Sequence, residues 1–311
     1  MSKEIAFIYP GQGSQTIGMG RDFVENSETA KDMLQSASLR LNVDFEKLLF
    51  EENEDLEKTM YTQPAILLVS MMAQKLFQER LDISPLIAMG HSLGEFSALA
   101  GVGALDYLDA LELVHTRGQL MQSACSQIDA GMMAVIGLDD ESVENICSDA
   151  RNWNKKIWPA NYNSDGQIVI AGIKTDLNAI EAFLKDAGAK RALLLNMSVA
   201  SHCELLSSAQ PKLKEKLDEF LKSSFIAPVI SNVTAKSYNT KSEAVDLLTR
   251  QLVEPVRYKQ SILELVTTID TAIEFGNGTV LKGLNRRIDK SLTTLNVSDM
   301  TTLEKAVEEL K

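Results

Sequence analysis

Ser92 lies at the centre of the pentapeptide Gly90-His91-Ser92-Leu93-Gly94. The apolar residues 85–89 before it read as a buried strand, and residues 95–100 after it as the first turns of a helix. Strand, Gly-x-Ser-x-Gly and helix in that order make a nucleophile elbow, a sharp turn that needs glycine because a Cβ would obstruct it. The turn presents the serine hydroxyl in the open at a helix N-terminus. There the free N–H groups and the helix dipole favour a developing oxyanion. The chemistry predicted is nucleophilic attack by Ser92 on an acyl group; the alternative is a plain strand-to-helix turn.

A serine nucleophile needs a base. The chain has three histidines, His91, His115 and His202. His91 adjoins Ser92 inside the turn, where neighbouring side chains diverge, so local hydrogen bonding is its expected role. His115 falls mid-helix between Val114 and Thr116 and is expected to pack there. His202, in Ser198-Val199-Ala200-Ser201-His202-Cys203, falls between a strand and a helix, where functional residues collect, and is the candidate base. No acidic residue stands out as its partner, but a backbone or amide carbonyl fixes a ring's tautomer and direction just as well. Cys203 reads as a small residue beside a functional one. Arg117 shares a helical line with Leu113, Leu120 and Ala124. A cation there either snorkels to the edge or meets a buried anion, and a substrate carboxylate gripped in bidentate fashion is one such anion.

These groups need elements to position them. A strand over residues 4–9 leads into Pro10-Gly11-Gln12-Gly13-Ser14-Gln15 and a helix from about Arg21. The loop matches neither GxGxxG nor a Gly-Lys-Ser/Thr phosphate loop. Its unhindered N–H groups can supply a second oxyanion donor beside the elbow's own. A helix is expected from Thr62 as cap, with Pro64 in the first turn, to about Arg80, and another from Asp106 as cap to about Ala124. Strands at 132–136, 157–161, 167–171 and 192–195 enclose helices at 140–149 and 175–187. That order is βαββαβ, the ferredoxin-like unit, inserted in a larger α/β domain. Then follow helices at 207–223, 242–252 and 258–268, strands at 228–231 and 271–274, a helix from Gly276-Asn277-Gly278 to Ile288, a strand and a last helix at 299–310. Alternating β and α on both sides of the insertion predicts a mostly parallel sheet covered by helices.

With 311 residues, 45% of them hydrophobic, the chain can bury a large core in one domain with an insertion or in two domains. Its net charge of −12 argues against nucleic acid and anionic membranes as partners. No apolar run is long enough to span a membrane, and no basic stretch followed by an apolar one marks a signal peptide. Cys125, Cys147 and Cys203 form no CxxC pair, which argues against a disulfide framework and for the cytoplasm. No histidine shares a helical face with another ligand, so no metal site is expected. An acidic protein partner would have to meet a local basic patch, and the candidates are Lys190 and Arg191 with Lys282, Arg286, Arg287 and Lys290. The alternative is that these are solvated helix faces.

Pro10-Gly11-Gln12-Gly13-Ser14-Gln15, Gly90-His91-Ser92-Leu93-Gly94-Glu95, the Arg117 helix, Asn161-Tyr162-Asn163-Ser164, Val199-Ala200-Ser201-His202, Ser231-Asn232-Val233 and the segment from Gln251 to Arg257 occur in that order. In this the chain closely resembles, end to end, the malonyl-CoA:acyl carrier protein transacylases of bacterial type II fatty acid synthesis. The resemblance implies a large α/β-hydrolase-like subdomain, residues 1–128 and 198–311, and a ferredoxin-like one, residues 129–197, with the site between them. It implies that Ser92 is acylated, that His202 is its base, and that the N–H groups of Gln12 and Leu93 form the oxyanion hole. It further implies that Arg117 binds the malonyl carboxylate. Gln251 would orient His202 through its main-chain carbonyl, with Asn232 in support, and Asn161 and Asn163 would line the cleft. The substrates implied are malonyl-CoA and phosphopantetheinylated acyl carrier protein, met transiently by a monomer without metal or resident cofactor. Two positions bear on the family's pattern: the turn at Asn163-Ser164-Asp165, which departs from the usual one, and Ser201, which in modular synthases often accompanies methylmalonyl but in free-standing transacylases accompanies malonyl, so malonyl is kept. A serine esterase or thioesterase would share the elbow and deliver the acyl group to water; a non-catalytic carrier-binding protein would form no acyl-enzyme.

Overall fold

The computed structural model describes residues 4–197 and 199–311. Residues 1–3 and Ser198, the first residue of the expected second stretch of the large subdomain, lie outside them. Among the described residues ten strands form two sheets: β1 (Ile5–Tyr9), β2 (Ile87–Gly90), β3 (Ala130–Ile136), β4 (Ile157–Ser164), β5 (Gln167–Ile173), β6 (Arg191–Leu194), β7 (Val229–Ile230), β8 (Ser237–Tyr238), β9 (Thr271–Phe275) and β10 (Thr293–Val297).

The larger sheet has the order β10-β9-β1-β2-β7-β8 and is parallel except for β8, which pairs antiparallel with β7. Alternation along β1 explains its central place. Phe7 and Tyr9 point into the main core beside the Thr59–Arg80, Gly94–Gly101 and Tyr107–Cys125 helices, while Ala6 and Ile8 join the opposite core with Tyr258, Ile262 and Leu281. A strand buried on both faces needs helices on both faces, as the alternating pattern predicted. The short β8 had no sequence signal.

The smaller sheet has the order β4-β5-β3-β6 with every pairing antiparallel, which is the ferredoxin-like arrangement expected for the insertion. Met133, Val135, Ile168 and Ile170 pack with the Asp140–Asn152 and Lys174–Asp186 helices. Their strand neighbours Met132, Val169 and Ala171 pack into the main core. A further seam closes the join: Tyr162 N–H donates to the Val256 carbonyl at 2.8 Å, and Val256 N–H to the Ala160 carbonyl at 2.8 Å.

Three helices depart from expectation. The Thr59–Arg80 helix begins before Thr62, with Lys58 at its cap, so Pro64 lies inside it. Proline lacks the N–H that would bond the carbonyl four residues back. That carbonyl, of Met60, instead accepts from Nδ1 of His115 at 2.7 Å. The Thr62 hydroxyl donates to the Leu56 and Lys58 carbonyls at 2.6 and 3.0 Å rather than capping. The expected 207–223 helix is the shorter Gln210–Phe220, preceded by a 3-10 run Glu204–Ala209, because Pro211 starts the α-helix in its first turn. The helix that opens at Tyr258 ends at Leu265.

Candidate active site

The loop after β1, the turn after β2 and the segment after β7 meet at the carboxyl ends of neighbouring parallel strands, where open α/β sheets bind ligands. At the β2 turn the glycines are there for contact. A Cβ on Gly90 would stand 2.0 Å from the Gly94 main chain, and one on Gly94 would stand 2.1 Å from the Tyr9 carbonyl oxygen. The helix thus packs directly on the strands, and Ser92 is held in left-handed backbone at φ 51°. His202 is also left-handed, at φ 61°. Non-glycine residues rarely adopt this region, and they persist there only where surrounding contacts fix them.

Those contacts are visible. Asn232 Oδ1 accepts the Ser92 N–H at 2.6 Å, and Asn232 Nδ2 donates to the Gly90 carbonyl at 2.7 Å. Ser92 Oγ stands 2.8 Å from His202 Nε2. On the other side of the ring, His202 Nδ1 donates to the main-chain carbonyl of Gln251 at 2.6 Å. A carbonyl can only accept, so Nδ1 carries the proton and Nε2 is left as the acceptor for the serine hydroxyl. Burial and the nearby Arg117 push the His202 pKa down to about 3, which keeps the ring neutral at physiological pH, with Nε2 unprotonated.

Arg117 does not snorkel; it is 1% exposed. Its Nη1 donates to Gln63 Oε1 at 2.9 Å, and its Nη2 to Gln251 Oε1 at 3.0 Å and to Ser92 Oγ at 3.3 Å. Its Nε has no partner among the described residues. Burial lowers its pKa to about 10, so it stays cationic. A guanidinium has five donors, and only three are engaged here, so it has capacity for an incoming carboxylate.

Ser92, His202, Arg117, Gln12, Leu93, Asn161 and Asn163 line one cavity of about 260 Å³, together with Gln63 and Ser201. Within the elbow the Ser92 N–H goes to Asn232, the Gly94 N–H to the His91 carbonyl and the Glu95 N–H to the Ser92 carbonyl. This leaves the Leu93 N–H as the elbow amide open to a ligand oxygen. Asn163 Oδ1 accepts from His91 Nε2 at 2.8 Å, which gives His91 the local bonding role expected of it. His115 lies apart, between Met60 and Gln119, as a packing residue. Cys203 is fully buried and burial raises its pKa to about 12, which leaves it an unreactive thiol. The turn after Ser164 is Asp165-Gly166, with Gly166 at φ 66°.

The basic candidates divide. Arg287 donates to Gln167 Oε1 at 2.6 Å and lines a groove of about 280 Å³ that shares Gln12, His91, Asn163 and Gln167 with the cavity. Arg191 sits in the same row of the small sheet, since Ile136 pairs with both Gln167 and Arg191. Lys190 precedes it, exposed. Lys282 reaches Asn296 Oδ1 at 3.4 Å, and neither it nor Arg286 lines the groove.

Sequence reasoning missed Gln63, Glu95 and Tyr238. Gln63 shares its buried helix with other polar residues, Thr59, Thr62, Ser70 and Gln74, so nothing local singles it out. Glu95 and Tyr238 hydrogen-bond at 2.9 Å across 143 positions, a pairing without local trace.

Residues 6–298 match the acyl transferase domain family. The chain is 39% identical to the malonyl CoA-acyl carrier protein transacylase of Bacillus subtilis over 100% of this chain and 98% of that one. It is 38% identical to the Escherichia coli K12 protein of the same name over 98% and 99%. The solved malonyl-CoA:acyl carrier protein transacylase of Helicobacter pylori superposes with a TM-score of 0.96 at 45% identity, over 99% of both chains. A malonyl-transacylase in complex with a type II PKS acyl-carrier protein gives a TM-score of 0.95 at 37% identity, over 99% of this chain and 100% of that one. Matched end to end in sequence and in fold, the chain belongs to the malonyl CoA-acyl carrier protein transacylase family.

Proposed function

We propose that this acyltransferase moves a malonyl group from malonyl-CoA to the phosphopantetheine thiol of acyl carrier protein, for fatty acid synthesis, through an ester on Ser92. The observation that carries the reading is one hydroxyl contacted by a neutral base and a cation: Ser92 Oγ lies 2.8 Å from His202 Nε2 and 3.3 Å from Arg117 Nη2. In the first step His202 Nε2 takes the hydroxyl proton while Oγ attacks the thioester carbonyl carbon. The oxyanion so formed is held by the N–H groups of Leu93 and Gln12. The C–S bond then breaks and the departing CoA sulfur takes the proton from His202. In the second step the carrier's thiol gives its proton to His202 and attacks the ester, and Ser92 Oγ leaves and regains the proton. The scheme is ping-pong.

Gln251 keeps His202 aligned with its main-chain carbonyl and steadies Arg117 with its side chain, while Asn232 holds the elbow. Arg117 receives the free carboxylate of the malonyl group. Asn161 and Asn163 face the acyl chain from the small subdomain, with boundaries at 128/129 and 197/198. The groove past Gln167 to Arg287 is the route for the pantetheine arm, and Arg287 and Arg191 stand where an acidic carrier arrives. Ser92, His202 and Arg117 come from one chain, which supports a working monomer. No resident metal or cofactor enters the scheme. No described helix is long and apolar enough to cross a membrane; with the free cysteines, this supports action in the cytoplasm.

The test separates transfer from hydrolysis. Pre-formed acyl-enzyme is chased with buffer or with phosphopantetheinylated carrier protein. Fast loss to the carrier and slow loss to water support the transferase, and equal rates would make the protein an esterase.

A further inference from the structure

Glu95 is a fully buried carboxylate three residues beyond Ser92 that the acyl-transfer steps leave unused. Its Oε2 accepts from the Asn232 main-chain N–H at 3.0 Å and from Gln251 Nε2 at 2.8 Å; its Oε1 accepts from the Tyr238 hydroxyl at 2.9 Å. The first two partners are the residues that hold the site. Asn232 fixes both ends of the elbow, and Gln251 presents one carbonyl to Arg117 and the other to His202.

We propose that Glu95 is a positioning residue for acyl transfer: as a carboxylate it is the internal counter-charge of Arg117, coupled to it through the Gln251 side chain, and it sets which way the Gln251 amide points. The inference rests on the acyl-transfer reading above. Three donors point at the carboxylate, and each of its hydrogen bonds is one it accepts, the pattern of an ionised group. Arg117 is the cation acting on it. A proton on either oxygen removes the counter-charge of Arg117, and a proton on Oε2 would also confront the Gln251 amide nitrogen. The amide would have to turn, and it would then present N–H to Arg117 in place of the carbonyl.

Burial pushes the Glu95 pKa up to about 7 against the hydrogen bonds and Arg117, so the counter-charge is present above neutral pH and is lost below it. The charged and titratable groups facing Glu95 are Tyr238, from the β7–β8 hairpin, and Arg117, from the Tyr107–Cys125 helix. Asn232 and Gln251 do not titrate. His202, on the far side of Gln251, titrates near 3 and does not change state in this range.

The experiment is the single-turnover rate of Ser92 acylation by malonyl-CoA against pH, read by rapid quench and intact mass, with no carrier thiol present. In the wild type the rate falls as the pH drops through about 7. Glu95→Gln keeps the shape and removes the charge; it loses that pH dependence and acylates about 10-fold or more slowly at alkaline pH, as expected for a displaced site. Glu95→Asp restores the pH dependence in part. Tyr238→Phe removes one donor to the carboxylate and moves the fall to higher pH, and it decides the matter if Glu95→Gln does not fold. A fall that persists unchanged in folded Glu95→Gln, or one that Tyr238→Phe leaves in place, overturns the proposal. If the wild type forms no acyl-enzyme at any pH, the transfer reading itself fails.

Discussion

Gln251 holds His202 with its main chain and Arg117 with its side chain: the carbonyl oxygen is 2.6 Å from His202 Nδ1, and Oε1 is 3.0 Å from Arg117 Nη2. One residue therefore aligns the base by an atom that mutation cannot remove and steadies the cation by atoms that it can. Gln251→Ala is expected to leave the base working and to loosen Arg117. Malonyl transfer should drop about 10-fold while transfer of an uncharged acetyl group stays within a few-fold, the scale of losing a hydrogen bond to a charged group. Measuring kcat/KM for malonyl-CoA and acetyl-CoA checks this, and equal losses on both would mean that the side chain serves the Ser92 turn, whose Ser92 carbonyl its Nε2 bonds at 3.1 Å, rather than Arg117.

Arg117→Ala carries the same logic further. Losing one member of a desolvated charge pair costs about 2–5 kcal/mol. The malonyl-to-acetyl ratio of kcat/KM should fall by a factor of about 30 or more, with acetyl transfer equal or improved. If the ratio stays constant while both rates fall, Arg117 is structural.

The meeting of Ser92 with His202 was legible because each leaves a local trace: glycines flanking Ser92 on the strand-to-helix turn, and a histidine between a strand and a helix. The βαββαβ order was legible for the same reason, since short apolar runs and helical stretches follow one another over residues 130–194. Arg117 was half legible. Its helical line showed a cation on an apolar face, but Gln63 and Gln251, which keep it buried, lie 54 and 134 positions away. The start of the Thr59–Arg80 helix was misplaced because Pro64 belongs at a first turn by local preference, and the group that occupies the carbonyl it leaves free, His115, comes from another helix.

The left-handed backbone at Ser92 gives a stability prediction. A side chain at φ 51° is strained by roughly 1–2 kcal/mol, and glycine is not. Ser92→Gly should therefore be more stable than Ser92→Ala by about 1 kcal/mol, although both are inactive. Urea unfolding of the two variants measures the difference; equal stability would show that the elbow stores no strain there.

The basic residues should separate by position. Arg287→Glu, on the groove, and Arg191→Glu, in the same sheet row, are expected to raise KM for carrier protein several-fold and to leave acylation by malonyl-CoA nearly unchanged. Lys282→Glu and Arg286→Glu, off the groove, should do less. Steady-state kinetics of the two half-reactions gives the answer, and equal damage to both halves at Arg287 would mark a structural role.

The central claim is that Ser92 carries the acyl group and His202 activates it. Intact mass after incubation with malonyl-CoA tests it most directly. The wild type should gain one malonyl group, mapped to Ser92, and lose it when carrier protein is added. His202→Ala, with its fold intact, should gain it about 10²–10⁴ times more slowly. Ser92→Ala should gain none. A malonyl adduct on Ser92→Ala, at Cys203 or elsewhere, would contradict the account.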